Sequence, residues 1–548
     1  MRRYWLVRLW SSLSTGGLLL ATLFFSASLT PTLVPRTYLT QGIVSGFCLA
    51  VGYGLGVFGR WLWVYLQLPK LRGRLRRVIK LGAAGICAVI LVVFLWRAAE
   101  WQNSIRELMG LEPVASAHPL WVGSIALATF AVLVALGRLF HLIFRVVSAR
   151  VHRVMPKRLS DFIGVVAAIL LFWSAINGVL FRVALHLADS SFKQVDALIE
   201  PESTQPTAPL KTGSSASLLE WDELGRAGRQ FISSGPTSND LHAFSGKDAL
   251  EPIRVYVGLR SAETPEARAR LALEELKRVG GFKRSVLIVV TPTGTGWIDP
   301  AAMDSVEYLY NGDVASVAVQ YSYLASWLAL IAEPDYGADA SRALFREIYG
   351  YWTTLPKESR PRLYLYGLSL GAMNSEQSTD LFEVLRDPFD GALWSGPPYS
   401  ARLWRSITAD RNPGSPAWLP RFRDGSFVRF MNQHGAAVET GATWGPMRIV
   451  YLQYASDAVT FFDYHDLYRQ PDWMTPPRGP DVSPQLRWYP VVTLLQLLLD
   501  MSMSTTTPIG YGHVYAPEHY IDAWIEVTDV KGWSPDEIAR LKRLLAKR

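Results

Sequence analysis

The sequence predicts an α/β fold with a mostly parallel sheet, preceded by an N-terminal bundle of about five transmembrane helices. Three observations support this prediction. Apolar runs of membrane-spanning length are confined to the first 187 residues. Basic residues concentrate in the short segments that connect these runs. From residue 252 onward, short apolar runs alternate with helical stretches, as in a parallel sheet covered by helices on both faces.

The apolar runs predict five spans, because each is close to the roughly 20 residues that a helix needs to cross the hydrocarbon core. The runs lie at 15–35, 41–66, 78–96, 119–144 and 161–187. The second is the weakest, since Arg60 interrupts it. The first could instead be a signal peptide with Arg2 and Arg3 as its charged region, but Pro31 and Pro35 continue the apolar run.

The distribution of charge predicts which way the spans point. Residues 1–187 contain 20 Lys and Arg against four acidic residues, whereas residues 188–548 contain 35 against 43. The basic links lie at the N-terminus, after span two and after span four, so the positive-inside rule places them in the cytoplasm. An odd number of spans then delivers the rest of the chain to the outer face. Because the positive charge belongs to membrane links, we do not expect nucleic-acid binding.

Cysteine usage excludes several chemistries. The two cysteines, Cys48 and Cys87, both lie in apolar runs. The part after residue 187 has none, so it uses no disulfide, no cysteine nucleophile and no thiolate metal site.

We therefore expect residues 1–195 to form a transmembrane helical domain, 196–250 a linker and entry segment, and 251–548 a catalytic domain. The linker prediction rests on residues 201–217, which are rich in Pro, Ser and Thr and lack periodicity. Strands are predicted at 253–259, 285–291, 314–320, 362–366, 389–394 and 447–454, and helices at 264–279, around 323–332 and at 340–352.

The stretch "RLYLYGLSLGAMNSE" carries the strongest chemical signal. A predicted strand runs into Gly367-Leu-Ser369-Leu-Gly371 and then into a helical run. In this context Ser369 is a candidate nucleophile on a tight strand-to-helix turn, and Gly367 and Gly371 leave room for the neighbouring backbone. The amide of Leu370, at the helix N-terminus, can stabilise an oxyanion.

A nucleophilic serine needs a base and an acid that orients it, in the chain order Ser, Asp, His for this architecture. Asp457 directly follows the predicted strand "RIVYLQY" and is the best-placed acid, with Asp463 and Asp466 as alternatives. His513 lies in a loop before the predicted final helix and is the best-placed base. The other histidines considered are His519, His434 and His465. The 56 residues from Asp457 to His513 contain an insertion, which is a candidate lid or substrate site.

The second oxyanion donor is expected from the loop after an earlier strand. The segment "VLIVV" is followed by "TPTGTGWIDP", in which the amides of Gly294 and Thr295 are candidates and a plain turn is the alternative.

The loop "PTGTGWIDP", the elbow "GLSLGAMNSE" and the segments "YASDAV" and "GHVY", after a multi-span membrane region, resemble a family of bacterial membrane-anchored alpha/beta-hydrolases. The resemblance covers nearly the whole chain. It implies an alpha/beta-hydrolase fold, a triad of Ser369, Asp457 and His513, and the inner membrane of a bacterium. It implies little about the substrate.

These observations favour a serine esterase or lipase-like enzyme that acts on a lipid or acylated envelope ester through an acyl-enzyme and needs no metal or organic cofactor. An acyltransferase would use the same residues. A third alternative is a ligand-binding or transport protein with a hydrolase-like domain. Against transport, only Asp161 lies close to a span, so no chain of buried ionisable groups suggests an ion path.

Overall fold

The computed structural model describes residues 13–69, 73–153, 155–173, 196, 204–324, 336–436 and 441–547. By its packing the chain divides into two units. The first comprises Met1–Ala184 and Phe462–Thr507, and the second Leu185–Phe461 and Pro508–Arg548. The division differs from the predicted domain boundaries, because residues 462–507 pack with the N-terminal helices rather than with the sheet.

The N-terminal helices of the first unit are α1 (Thr15–Ser28), α2 (Tyr38–Tyr65), α3 (Gly73–Leu108), α4 (Pro119–Val151) and α5 (Lys157–Trp173). Among the described residues, three helices are long and apolar enough to cross a membrane, namely α2, α3 and α4. This number is fewer than the five spans predicted.

The first predicted span fails because the apolar run outlasts the helix. The helix α1 has 14 residues, or about 21 Å, whereas the hydrocarbon core is about 30 Å thick. Pro31 disfavours helical geometry at Thr30, and the hydroxyls of Ser28 and Thr30 donate to the carbonyls of Phe25 and Ala27, which closes the helix end. In the fifth predicted span, the apolar helical stretch that the structure describes is Leu159–Leu171, and residues 174–187 lie outside the described part of the chain.

The second unit is built on an eight-stranded sheet. The strands are β1 (Ile253–Val257), β2 (Val286–Thr291), β3 (Val314–Val319), β4 (Arg362–Leu368), β5 (Gly391–Ser395), β6 (Val428–Asn432), β7 (Gly435–Ala436) and β8 (Arg448–Leu452). Their order is β1-β3-β2-β4-β5-β8-β6-β7, and every pairing is parallel except β6 with β7. The mostly parallel sheet is thus confirmed. Strands β1, β2, β3 and β5 are buried at every position, which explains why most of their residues are apolar.

The remaining helices complete both units. They are α6 (Gly225–Ser233), α7 (Ser238–Ser245), α8 (Pro265–Arg278), α9 (Pro300–Leu309), α10 (Tyr336–Trp352), α11 (Leu370–Glu376), α12 (Leu381–Val384), α13 (Arg402–Ala409), α14 (Ala458–Phe461), α15 (Val492–Met503), α16 (Pro517–Thr528) and α17 (Pro535–Leu545). The predicted helix around 323–332 lies largely outside the described residues.

Part of the predicted linker is folded. Helix α6 packs so closely on β1 that a Cβ added at Gly228 would lie 2.4 Å from the Tyr256 ring. The helix predicted as the last one, α16, is followed by α17, whose Ser534 and Glu537 form a capping box. Strand β6 was missed because Arg429 interrupts its apolar run. The Arg429 side chain is buried, and its guanidinium lies over the Trp444 ring, 3.9 Å from the ring centroid.

Candidate active site

Ser369 occupies a strained turn between a central strand and a helix. Strand β4 ends at Leu368, α11 begins at Leu370, and Ser369 between them has φ 58° and ψ −124°. A positive φ at a residue with a Cβ is uncommon and costs roughly 1–3 kcal/mol, which the surroundings must stabilise. Here the amide of Ser369 donates to the carbonyl of Ser395 at 2.9 Å, so the end of β5 holds the turn.

The two flanking glycines are required by close backbone packing. A Cβ added at Gly367 would lie 2.3 Å from the carbonyl carbon of Gly371. A Cβ added at Gly371 would lie 2.2 Å from the carbonyl oxygen of Thr291. Both distances are shorter than real Cβ contacts, so each glycine allows the helix to begin directly against the preceding strand and its neighbour β2.

Asp457 and His513 form a buried pair. Nδ1 of His513 lies 2.7 Å from Oδ2 of Asp457, whose side chain is fully buried. The other carboxylate oxygen, Oδ1, accepts the amide of Val459 at 2.9 Å. Because a carboxylate holds the proton on Nδ1, the neutral imidazole presents its lone pair at Nε2. That atom is buried and has no hydrogen-bond partner among the described residues.

The same pair lies at the strand end next to the serine. A Cβ added at Gly396 would lie 2.8 Å from Cε1 of His513. Gly396 directly follows Ser395, which is paired with Leu368 at the end of β4 and holds the amide of Ser369. Ser369, Asp457 and His513 are therefore brought to one edge of the sheet, at the carboxyl ends of β4, β5 and β8, where open α/β sheets bind ligands.

The alternative residues have other partners. Nδ1 of His519 is 2.6 Å from the hydroxyl of Tyr454, and burial lowers the pKa of His519 to about 4. His465 pairs with Asp463 at 2.6 Å, and both side chains are over a third exposed. Asp463 and Asp466 form a capping box, and burial raises the pKa of Asp466 to about 7. His434 follows β6 in the turn before β7.

The loop after β2 lies against the start of α11. Its turn is closed by two main-chain bonds, from Thr293 to the carbonyl of Trp297 and from Gly296 to that of Thr293, each 2.9 Å. A Cβ at Gly371 would meet the carbonyls of both Thr291 and Pro292, so this loop borders the serine turn. The amide of Leu370 is at the first position of α11, where it has no acceptor within the helix. Gly294 and Thr295 are in the closed turn, and Thr295 is half-buried.

Several polar residues of the site were not predicted. The hydroxyl of Tyr515 donates to Oδ2 of Asp457 at 2.8 Å. The hydroxyl of Tyr256 donates to the carbonyl of Gly296 at 2.8 Å, and Nε2 of Gln320 donates to that of Thr295 at 3.3 Å. These contacts join residues 25 to 58 positions apart, so the local sequence carries no signal for them.

A separate cavity of about 490 Å³ lies at the opposite edge of the sheet. It is lined by Arg362, the first residue of β4, together with Asn311 and Trp533. Strand β4 separates Arg362 from Ser369 by roughly 20 Å, so this cavity is distinct from the serine turn. Among the described residues, no group of three or more His, Cys, Asp or Glu side chains could hold a metal ion.

The mostly parallel sheet, with a serine turn at the carboxyl end of a central strand, defines the alpha/beta-hydrolase class. Comparison with known families agrees. Residues 253–541 match the model described as "Alpha/beta-hydrolase family", and residues 29–236 match the one described as "Alpha/beta-hydrolase family N-terminus". The chain belongs to the alpha/beta-hydrolase family. Comparison with curated proteins and with solved structures gives no match.

Proposed function

We propose that the protein is a membrane-anchored serine hydrolase that cleaves a carboxylic ester of a lipid or acylated envelope molecule through an acyl-enzyme. The observation that carries this proposal is the buried Asp457–His513 pair, with its unpartnered Nε2, at the strand end beside the serine turn. A basic nitrogen without another partner, close to a serine on a strand-to-helix turn, is the arrangement that activates a hydroxyl for attack.

In the first half of the reaction, Nε2 of His513 takes the proton of Ser369 while Oγ attacks the ester carbonyl carbon. The carbonyl oxygen becomes an oxyanion, which the Leu370 amide and an amide of the Gly294–Thr295 turn stabilise. When the intermediate collapses, the ester C–O bond breaks. The leaving alkoxide takes the proton from His513, and the acyl group remains on Ser369.

In the second half, His513 takes a proton from water, whose oxygen attacks the acyl carbon. Collapse of this second intermediate returns the proton to Ser369 and releases a carboxylic acid. Asp457 keeps the imidazole in the reactive tautomer throughout and stabilises its positive charge. If an acceptor alcohol replaces water, the same steps give acyl transfer.

Two features support a membrane-associated substrate. Three N-terminal helices are apolar and long enough to cross a membrane, so the chain is held where lipid esters are concentrated. The excess of basic residues in the links between the apolar runs supports a catalytic unit on the outer face of a bacterial inner membrane.

Labelling with a fluorophosphonate tests this function. Membranes that contain the wild type, Ser369→Ala, His513→Ala or the matched control Ser359→Ala are treated with the probe, and folding is checked by thermal unfolding. Ser359 is exposed, so the control should label like the wild type. We expect labelling to be lost in the first two variants. Labelling of all four proteins alike, or none in folded wild type, would refute an activated Ser369.

Product analysis and topology complete the test. Release of free fatty acid from an ester in nanodiscs identifies hydrolysis, whereas a new ester on an added alcohol identifies a transferase. A membrane-impermeant fluorophosphonate applied to intact spheroplasts should label the protein if the catalytic unit faces outward. Labelling only after the cells are opened would contradict that orientation.

A further inference from the structure

Tyr515, which the sequence did not single out, contacts the acid of the proposed site directly. Its hydroxyl donates to Oδ2 of Asp457 at 2.8 Å, and Nδ1 of His513 donates to the same oxygen at 2.7 Å. The hydroxyl of Thr460 is a third and longer contact to this oxygen, at 3.3 Å. One carboxylate oxygen is therefore shared by an imidazole and a phenol.

The position of Tyr515 is set by a rigid aromatic support. Its ring stacks on that of Tyr454, with 4.4 Å between centroids and 24° between planes. The Tyr454 hydroxyl accepts the amide of Ala516 at 3.0 Å and lies 2.6 Å from Nδ1 of His519. Tyr515 and Tyr454 are 3% and 0% exposed, so neither hydroxyl exchanges its partner for bulk water.

Gly396 leaves the space that the phenol and the imidazole share. A Cβ added there would lie 2.8 Å from the Tyr515 hydroxyl and 2.8 Å from Cε1 of His513. The two side chains converge on Asp457 from the same loop, over the end of β5. Burial and the charge of Asp457 keep the pKa of Tyr515 well above its usual range, so the phenol remains a donor at working pH.

We propose that Tyr515 is a positioning residue which shares Oδ2 of Asp457 with His513 and thereby limits how readily the imidazole takes up a proton. The proposal rests on the function proposed above. A donor on the carboxylate withdraws part of its negative charge, so less of that charge stabilises the imidazolium. Without this donor, the protonated imidazole would be favoured. As the pH is lowered, the enzyme would then become inactive at a higher pH than the wild type does.

The ionisable groups facing the imidazole identify what a variant would change. They are Asp457 after β8, Tyr515 on the same loop and Asp299 at the start of α9. Burial raises the pKa of Asp299 to about 6, and a charge on His513 opposes that rise. Replacing Tyr515 leaves both carboxylates in place. A change in the acidic limb of the pH–activity profile therefore reports the loss of the Tyr515 hydroxyl.

The test is the pH profile of kcat/KM for a p-nitrophenyl ester, measured on the full-length protein in detergent. For Tyr515→Phe we expect the midpoint of the acidic limb to rise by about 0.5 to 1 pH unit, part of what a hydrogen bond to a charged group is worth. The matched control is Tyr349→Phe. Tyr349 is a buried residue of α10, and its hydroxyl donates to the carbonyl of Asp387 at 2.8 Å rather than to a residue of the site. Its midpoint should equal that of the wild type.

Incorporation of 3-fluorotyrosine at position 515 keeps the proposal testable if Tyr515→Phe does not fold. The fluorine makes the phenol a stronger donor, so the midpoint should fall, opposite to the change expected for phenylalanine. A midpoint within about 0.2 units of wild type in a folded variant would overturn the role of Tyr515. Wild-type protein that neither hydrolyses the ester nor reacts with a fluorophosphonate would overturn the proposed function, and this proposal with it.

Discussion

A buried ion pair within the first unit is the contact most open to a quantitative test. Asp500 on α15 pairs with Arg36, which precedes α2. The Oδ1 atom of Asp500 accepts from Nη2 of Arg36 at 2.6 Å and from Nε at 3.1 Å. The amide of Leu33 donates to the other oxygen at 2.9 Å. Both charged side chains are fully buried, although Nη1 of Arg36 has no partner among the described residues. We expect either single neutral substitution to destabilise the protein.

The size of the effect follows from the burial of both charges. Removing one partner of a buried pair costs about 3–5 kcal/mol, because the other charge is left without compensation. Replacing both charged residues by apolar ones removes that penalty. The Leu33 amide is then left unpaired, which costs about 1–3 kcal/mol. Asp500→Asn and Arg36→Met should therefore each lower Tm by about 6–20 °C, at roughly 2–4 °C per kcal/mol. Arg36→Met/Asp500→Leu should lose less than the sum of the two.

The assay is thermal unfolding of the full-length protein in detergent, followed by tryptophan fluorescence in a double-mutant cycle. The control is Arg97→Gln, which removes an ion pair to Glu100 at 2.9 Å on α3 whose side chains are about half exposed. Exposed pairs contribute little, so its Tm should stay at the wild-type value. Single variants within about 2 °C of wild type, or a double variant equal to the sum of the singles, would refute the reasoning.

Three further predictions concern the catalytic unit. Gly371→Ala should lower the fluorophosphonate labelling rate at least about 10-fold and reduce Tm, because its Cβ would overlap the Thr291 carbonyl. Labelling at the wild-type rate would contradict this packing. Tyr256→Phe should lower kcat several-fold with little change in KM, since the lost bond holds the carbonyl of Gly296 in the turn proposed to supply the second oxyanion donor. A change in KM alone would argue against it. Burial raises the pKa of Glu376 from 4.5 to about 8, so folding favours its protonated form, and that contribution is lost as the pH rises toward 8. Glu376→Gln should therefore flatten the fall in Tm between about pH 5 and pH 8, and parallel curves for the two proteins over this range would exclude the effect.

The sheet was predictable where local sequence decides the structure. Strands such as β2 and β3 are apolar at five of their six positions because helices cover both faces, and that pattern is visible without tertiary information. Strand β6 was not predictable, because Arg429 is buried only by virtue of Trp444 and Glu526, the latter 97 residues away. The first predicted span was wrong for a related reason, since hydropathy does not show that α1 ends at Ser28.

The residues of the site divide in the same way. Glycine spacing and the chain order of the architecture are sequence properties, and they led to Ser369, Asp457 and His513, which meet at one sheet edge. The supporting hydroxyls are not sequence properties. Tyr515 reaches an acid 58 residues away and Tyr256 reaches a loop 40 residues away, so both depend on how β1 and β8 are placed in the sheet. The catalytic roles themselves remain predictions until Ser369 is labelled.

The insertion between Asp457 and His513 gives the N-terminal helices a role beyond holding the chain in a membrane. The chain leaves the second unit after Phe461 and returns at Pro508, and the intervening residues pack in the first unit. There Val492 of α15 joins a buried cluster with Ala27, Val44 and Cys48, and Gln496 donates to the carbonyls of Ser28 and Thr30 at 3.1 and 3.3 Å. A single span could not supply this surface, because it is formed by α1, the loop after it and α2 together.

The two loops that carry the proposed acid and base are therefore continuous with a segment whose apolar side chains the N-terminal helices cover. Removing those helices would expose that segment, so we expect a chain that starts at residue 204 to lose activity even toward a water-soluble ester. Full activity of the truncated protein would show instead that the helices only hold the enzyme at a membrane.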